Sequence, residues 1–199
     1  LLKKLNRNQE ARIFFKKAIE LDPENNQLLT NFSHLELALE NYRQGWQLFE
    51  SRWKVKNLKQ IPLISTKPEL KSFEVKNKKI LIWGEQGLGD HILYSTLLVD
   101  ALKTKNEFLV VIDKRLIDLY KRSFKEFKNV SFLDNADNED LYDFHLPIGS
   151  LGKFFRNSKQ DFLKQKIPLL KDDANYTKIL KNKTHSEKKY VCGISWMSK

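Results

Sequence analysis

The sequence is poor in cysteine, histidine and long apolar runs, and each scarcity excludes a class of protein. Its 199 residues include one cysteine, Cys192, so no disulfide can form within the chain. The four histidines lie far apart and show no metal-ligand spacing. No apolar run reaches the roughly 18 residues of a membrane span, and no signal peptide is visible. We therefore expect a cytoplasmic protein without a metal centre or an integral membrane segment.

Acidic residues are outnumbered by basic ones, which gives a formal net charge of +11. A basic balance of this size raises nucleic acid as a partner. The lysines are nevertheless scattered and mixed with acids, as in Lys121–Lys128, and no basic stripe alternates with stacking aromatic residues. We therefore predict no nucleic-acid partner. Hydrophobic residues make up 41% of the chain, which is enough for folded cores rather than disorder.

Glycine is also scarce, and three of the seven glycines fall in one stretch. Gly84, Gly87 and Gly89 separate the apolar run Ile80–Trp83 from a second apolar stretch that begins after Asp90. This pattern predicts a buried strand, a tight loop and a buried helix. Glycines allow positive φ and close backbone approach, and a helix start offers unpaired N–H groups. Open α/β sheets bind their ligands at this place, beyond the carboxyl ends of the strands.

The spacing of this loop excludes two common phosphate-binding motifs. From Gly84 to Gly89 it begins like a P-loop, but Asp90 stands where a P-loop requires lysine. The glycine order G-x-x-G-x-G also differs from the dinucleotide fingerprint G-x-G-x-x-G. The two acids of the loop, Glu85 and Asp90, suit a group that must take a proton better than one that must hold phosphate. The alternative is that Asp90 caps the helix by accepting backbone hydrogen bonds.

The first 56 residues carry an internal repeat with a period of 34, the period of tetratricopeptide helix pairs. The matching pairs are Ala11 with Gly45, Phe15 with Phe49, and Ile19 with Trp53. We predict helices over Glu10–Pro23, Asn26–Leu39 and Tyr42–Trp53, with Gly45 allowing two helices to approach closely. Arg52 departs from the pattern, which calls for a small residue at that position. Residues 57–77 are predicted to be a linker that crosses the surface.

Strands and helices alternate through residues 78–172. Strands are predicted over residues 79–83, 108–113, 130–133 and 143–146, with helices over 89–103, 114–127 and 151–155. This alternation is typical of a parallel, doubly wound sheet, so the predicted class is α+α/β. A further helix is predicted at 176–180, and a strand at 191–196 would open a second α/β domain. We therefore expect residues 173–199 to be an interdomain segment followed by a truncated domain.

The stretch WGEQGLGD, from Trp83 to Asp90, resembles the signature of a family of bacterial proteins. These proteins join tetratricopeptide repeats to a glycosyltransferase domain of the GT-B, heptosyltransferase-like kind. Three further segments resemble parts of the same family: Gly45–Trp53 its last repeat helix, Tyr142–Phe155 a downstream segment, and Val191–Lys199 the strand that opens its second domain. Together these motifs bracket most of the chain.

The resemblance implies an inverting glycosyltransferase that uses a nucleotide sugar as co-substrate and needs no other cofactor. In such enzymes the N-terminal α/β domain receives the acceptor and the C-terminal one binds the donor. The acceptor would be a glycan, a lipopolysaccharide or a protein, and the repeats could bind a protein partner. The family has an aspartate in the matching Gly-Asp position, so Asp90 is the candidate catalytic base. Because the donor domain is mostly missing, we expect these 199 residues to be inactive alone.

The remaining candidate site residues are predicted to contact substrate. Glu85 and Gln86 would bind acceptor hydroxyls or cap the turn, and the backbone at Gly87 and Gly89 would approach the ligand closely. The other candidates are His91, facing the cleft or the surface; His145, an acceptor contact at the end of the fourth strand; and Ser195 and Trp196, near the donor phosphate.

Two alternatives from other functional classes remain open. In the first, the α/β domain binds a dinucleotide, and Asp113 at the end of the second strand takes the ribose hydroxyl. In the second, the protein is a scaffold without catalytic activity whose repeats bind a partner peptide. The first predicts NAD binding, and the second predicts that Asp90 can be replaced without effect.

Overall fold

A computed structural model describes residues 5, 7–55, 62–85, 87–165 and 169–184. The predictions for Gln86, Ser195, Trp196 and the strand at 191–196 lie outside the described residues. Within them the α-helices are α1 (Asn8–Leu21), α2 (Asn26–Ala38), α3 (Tyr42–Phe49), α4 (Leu88–Leu102), α5 (Ile117–Ser123), α6 (Gly152–Phe155), α7 (Lys159–Leu163) and α8 (Ala174–Thr184). The strands are β1 (Lys79–Trp83), β2 (Glu107–Val111), β3 (Val130–Leu133) and β4 (Phe144–Pro147).

Residues 8–54 form a helical unit in which α2 packs against both α1 and α3. The rings of Phe15 and Phe32 stack with centroids 5.4 Å apart, as expected from their apolar spacing. A Cβ placed on Gly45 would lie 2.7 Å from the side chain of Leu37, so the predicted close approach of two helices is confirmed. The third helix is shorter than predicted, because the chain tightens after Phe49 into a 3₁₀-helix over Glu50–Lys54.

The four strands form one parallel sheet in the order β3-β2-β1-β4, which confirms the predicted α+α/β class. The order reverses at β1. From β1 the chain adds β2 and β3 on one side, and it then crosses back to place β4 on the other side of β1. Such a switch point opens a crevice between the loops that follow the two diverging strands. Here these loops follow β1 and β4, so the glycine loop borders the crevice as the sequence predicts.

The two faces of the sheet are covered differently. Ile80, Ile82 and Val110 point to the first face, where they join the core formed with α4 and α5. Both helices lie there because the crossovers from β1 to β2 and from β2 to β3 run in the same direction and right-handed crossovers share a face. The second face carries Leu81 and Trp83 and is covered in part by Trp53 of the helical unit. Further cover comes from side chains outside the helices: Leu63, Ala136 and Tyr142.

The predicted surface linker is partly built into the fold. Leu70 is buried, and its backbone N–H donates to the carbonyl of His145 at 2.8 Å. The N–H of His145 in turn donates to the carbonyl of Pro68 at 3.2 Å. These bonds place residues 68–70 along the outer edge of β4, where they pair backbone groups that the strand alone would leave open. The Pro and Lys content of this stretch concealed that role.

Several element bounds differ from the predictions. The predicted helix at 114–127 is a 3₁₀ turn followed by the short α5, and α8 extends beyond 176–180 at both ends. The helix α7 was not predicted, although Ser158 and Asp161 form the capping box that begins it. No helix among the described residues is both long and apolar enough to cross a membrane.

Candidate functional site

The glycine loop runs from Gly84 to Gly87, and α4 begins immediately after it at Leu88. None of the described glycines has a positive φ, so these positions are not explained by backbone conformation. A steric constraint explains glycine at position 84, because a Cβ there would lie 2.4 Å from the ring of His91. Gly87 and Gly89 differ: a Cβ on either would meet nothing within 4 Å. The described residues therefore give no steric reason for glycine at these two positions.

His91 is buried beneath the loop, so both predicted locations, the cleft and the surface, are wrong. Its Nδ1 accepts a hydrogen bond from the backbone N–H of Asp113 at 3.1 Å. Because that nitrogen accepts, Nε2 carries the proton and donates to the carbonyl of Glu85 at 2.9 Å. Both ring nitrogens are thus occupied. His91 ties the glycine loop to the end of β2, which is a structural role.

Glu85 turns away from the helix start, and its side chain is only 2% exposed. Arg52 of the helical unit donates to both of its carboxylate oxygens at 2.9 Å. The backbone N–H of Gly149, in the turn after β4, donates to Oε1 at 2.7 Å. The carboxylate therefore lies between the two loops of the switch-point crevice. It neither caps its own turn nor presents its oxygens to an acceptor, contrary to both predictions.

Arg52 is the centre of a buried polar network that also includes Glu50, Glu85, Ser150 and Lys153. We call this set the Arg52 network. The guanidinium of Arg52 donates to Glu50 Oε1 at 2.9 Å and to Ser150 Oγ at 3.0 Å. Ser150 donates to Glu50 at 2.7 Å, and Lys153 donates to the second Glu50 oxygen at 2.6 Å. The network joins the helical unit to the loops after β1 and β4, and its two cations balance its two anions.

The charges of this network are favoured by their partners in spite of burial. For Arg52, burial works to lower the pKa, but the hydrogen bonds and charge of Glu85 outweigh it, and the pKa is raised. For Glu50, burial works to raise the pKa, but the contacts with Lys153 and Arg52 prevail, and the pKa is lowered. Both groups therefore stay ionised at neutral pH. The departure of Arg52 from the repeat pattern was the one signal in the sequence of this contact.

Asp90 is half-buried in the first turn of α4, and it does not cap the helix. The N-cap position belongs to Gly87, and no side chain of the described residues caps this helix end. The alternative in which Asp90 is a cap is therefore wrong. No described residue donates a hydrogen bond to its carboxylate, and none of them forms an ion pair with it, in contrast to Glu85. A carboxylate at a helix N-terminus is stabilised by the helix dipole, yet this one keeps its hydrogen-bonding capacity free.

His145 lies on the opposite side of the sheet from α4. It pairs with Leu81, two residues before the end of β1, rather than at the carboxyl edge where it was predicted. Trp83 Nε1 donates to its Nδ1 at 3.3 Å, and burial lowers the pKa of the imidazole. The strand alternation that sends Leu81 to the second face sends His145 there as well. The structure therefore does not bring His145 and Asp90 together.

Asp113 lies two residues beyond the end of β2, where it caps a 3₁₀ turn, and its carboxylate is paired. The guanidinium of Arg115 donates to both oxygens, at 2.9 and 2.8 Å, and the Arg115 backbone N–H also donates. These bonds hold the pKa of Asp113 well below its usual range. A ribose hydroxyl would have to compete with Arg115 for these oxygens. This placement disfavours the dinucleotide alternative.

Gly149 provides a test of the packing in the crevice. A Cβ at this position would lie 2.5 Å from Glu85 Oε1 and 3.3 Å from the ring of Tyr94. We expect Gly149→Ala to lower the free energy of unfolding by about 1–3 kcal/mol, the usual cost of overpacking. Gly89→Ala is the matched control, because its Cβ would enter open space in a helix. Urea denaturation of both variants measures the difference, and equal stabilities would contradict the packing described here.

The comparisons with known proteins give one partial match. No family model matches the sequence, and no solved structure matches it. The protein FlbA of Caulobacter vibrioides is 25% identical over 160 residues, an alignment that covers 69% of this chain and 26% of FlbA. The chain thus spans about a quarter of the length of this curated relative. The chain is similar to part of FlbA, at a level that does not establish a family.

Proposed function

We propose that the chain is the acceptor-side part of an inverting glycosyltransferase of the GT-B, heptosyltransferase-like kind. The observation that carries this proposal is the free carboxylate of Asp90 beside an open backbone. No described residue lies within 4 Å of a Cβ on Gly87 or Gly89, which leaves room for a ligand to approach the helix start there. The site borders the switch point of a parallel sheet, which is the usual ligand position in such folds.

In the proposed reaction Asp90 acts as the general base. It takes the proton of an acceptor hydroxyl as the oxygen attacks the anomeric carbon of a nucleotide sugar, and the nucleotide leaves with the bonding electrons. The anomeric configuration inverts because the attack and the departure occur on opposite faces. A base positioned in this way contributes about 10²–10⁴-fold to the rate. Ser195 and Trp196 would lie near the donor phosphate, as the resemblance implies.

The helical unit is proposed to be of the tetratricopeptide type and to support the site from the side. The Arg52 network holds Glu85, and His91 holds the carbonyl of the same residue. The loop that precedes Asp90 is thus held at Glu85, through both the side chain and the backbone carbonyl of that residue. A base must be held within hydrogen-bond reach of its proton, so this support serves catalysis. A glycan, a lipopolysaccharide or a protein is the proposed acceptor.

The direct test uses the product of the complete gene rather than these 199 residues. It is incubated with radiolabelled UDP-, GDP- and ADP-sugars, together with membrane glycolipid and protein fractions from the source cells as acceptors. Label transferred to an acceptor, with release of the nucleotide, supports the proposal. If no donor is hydrolysed faster than in a buffer blank and no acceptor becomes labelled, the proposal is wrong.

A substitution at Gly89 distinguishes an effect on ligand binding from an effect on protein stability. We expect Gly89→Ala to keep or slightly raise the melting temperature, because alanine is favoured over glycine within a helix by up to about 1 kcal/mol. The same methyl group would occupy the space left open for the acceptor, so we expect kcat/KM for transfer to fall at least tenfold. Steady-state kinetics and thermal denaturation check the two halves of this prediction. An unchanged kcat/KM would mean that no ligand approaches the backbone here.

A further inference from the structure

Tyr94 presents a second unsatisfied polar group, one helical turn beyond Asp90. Residues four apart on a helix lie on the same face, so both side chains project from one side of α4. The Tyr94 hydroxyl makes no hydrogen bond with any described residue. It still reaches solvent, because Trp53 Nε1 and Arg156 Nε are the side-chain atoms that the described chain buries without a partner.

The ring of Tyr94 is wedged into the switch-point crevice. It is half-buried and packs against the core of the first sheet face. Its Cε2 lies 3.3 Å from the position that a Cβ on Gly149 would take, so the ring edge faces the turn after β4. Packing on both sides leaves the ring little freedom, and the direction of the hydroxyl is therefore set before any ligand arrives.

The surroundings keep this hydroxyl protonated. Burial is the main cause that raises the pKa of Tyr94 to about 12, and the negative charges of Glu85 and Asp90 add to it. The four-residue spacing places the Asp90 side chain on the same face of α4, one turn before the phenol. This helix face therefore carries a carboxylate, which accepts hydrogen bonds, and a protonated phenol, which can donate one.

We propose that Tyr94 is a specificity-determining residue that donates a hydrogen bond to a second oxygen of the acceptor. This inference rests on the proposed function: Asp90 faces the hydroxyl that reacts, and Tyr94 faces its neighbour. Two adjacent groups of opposite hydrogen-bonding character suit a vicinal diol, as on a sugar ring, rather than the single hydroxyl of a serine side chain. A site built to bond such an oxygen rejects analogues that lack it.

The experiment measures binding by NMR on protein with ¹³C-labelled tyrosine. The probes are the methyl α-glycosides of glucose, galactose and mannose, and N-acetylserine amide serves as the probe with one hydroxyl. We expect at least one glycoside to shift the Tyr94 signal and Tyr94→Phe to weaken its binding about 5- to 10-fold, the effect of one neutral hydrogen bond. Tyr176→Phe, on the exposed face of α8, is the matched control and should change nothing.

Two binding outcomes would overturn the role of Tyr94. One is equal affinity of Tyr94→Phe and the wild type for the glycosides. The other is a Tyr94 signal that no glycoside shifts, whether or not N-acetylserine amide shifts it. Loss of folding does not confuse the result, because the Tyr94 hydroxyl has no bond to lose in the described chain.

A transfer assay on the product of the complete gene separates this inference from the proposed function. With an active wild type, Tyr94→Phe should raise KM for a diol acceptor by a similar factor and leave kcat nearly unchanged. Unchanged KM in that case removes Tyr94 from the site and leaves the transferase intact. Glycoside binding through Tyr94 without transfer from any donor would instead reject the proposed function and retain the binding site.

Discussion

Replacing Asp90 by asparagine should nearly abolish transfer in the complete protein while leaving its melting temperature almost unchanged. Asparagine keeps the size of the side chain but cannot take a proton, so we expect kcat to fall about 10²–10⁴-fold. Stability should persist because Asp90 makes no capping bond and has no ion-pair partner among the described residues. Its interaction with the helix dipole is lost, which is typically worth about 0.3–1 kcal/mol.

Asp118→Asn is the matched control for this experiment. Asp118 also lies in the first turn of a helix, α5, and its side chain is exposed. The control thus loses the same interaction with a helix dipole and should retain full activity. Steady-state kinetics and thermal denaturation of both variants are sufficient. Retained activity of Asp90→Asn together with a large loss of stability would reject Asp90 as the base and restore a structural role.

Replacing Arg52 by methionine should destabilise the protein by about 3–5 kcal/mol, the usual cost of removing one partner of a buried ion pair. The variant leaves the Glu85 carboxylate buried, with the Gly149 N–H as its one remaining donor in the described chain. Glu50 is less affected because Lys153 and Ser150 still donate to it. Urea denaturation followed by circular dichroism measures the change.

A double-mutant cycle separates the ion pair from general packing. We expect Glu85→Met to cost a similar amount as Arg52→Met, and the double variant to cost at least about 1 kcal/mol less than the sum. The reason is that two apolar side chains of similar volume leave no buried charge without a partner. Arg7→Met, which breaks the exposed Arg7–Glu10 pair, should have no measurable effect. Additive costs for the two methionine variants would contradict direct coupling.

The helical unit and the sheet unit are joined by contacts between residues that lie far apart in the sequence. Arg52 reaches Glu85 across 33 positions of sequence, and Glu85 reaches Gly149 across 64. Trp46 extends the same contact, because its Nε1 donates to the carbonyl of Arg156 at 2.8 Å and its ring lies 2.5 Å from the position of a Cβ on Gly152. The helical unit is therefore packed onto the sheet unit beside the candidate site, rather than attached only through the linker.

The sequence alone determined the elements that depend on local patterns. Strands β1 and β3 have the predicted bounds, and α4 starts and ends within one residue of its prediction. Apolar runs and glycine interruptions specify such elements because the side chains that define them are neighbours in the chain. The 34-residue period likewise predicted the helices of the first 56 residues and the close approach at Gly45.

Only the tertiary structure decided which polar side chains are free to act. Glu85 lies in the glycine loop and Asp90 in the first turn of α4, five residues later, and no local sequence pattern shows which of the two carboxylates is free. Glu85 is neutralised by Arg52 and Gly149, and His91 is occupied by Asp113, all of them distant in sequence. Because burying a charge or a polar group requires partners that the chain supplies from elsewhere, the fold removed these two side chains from the solvent and left Asp90 open.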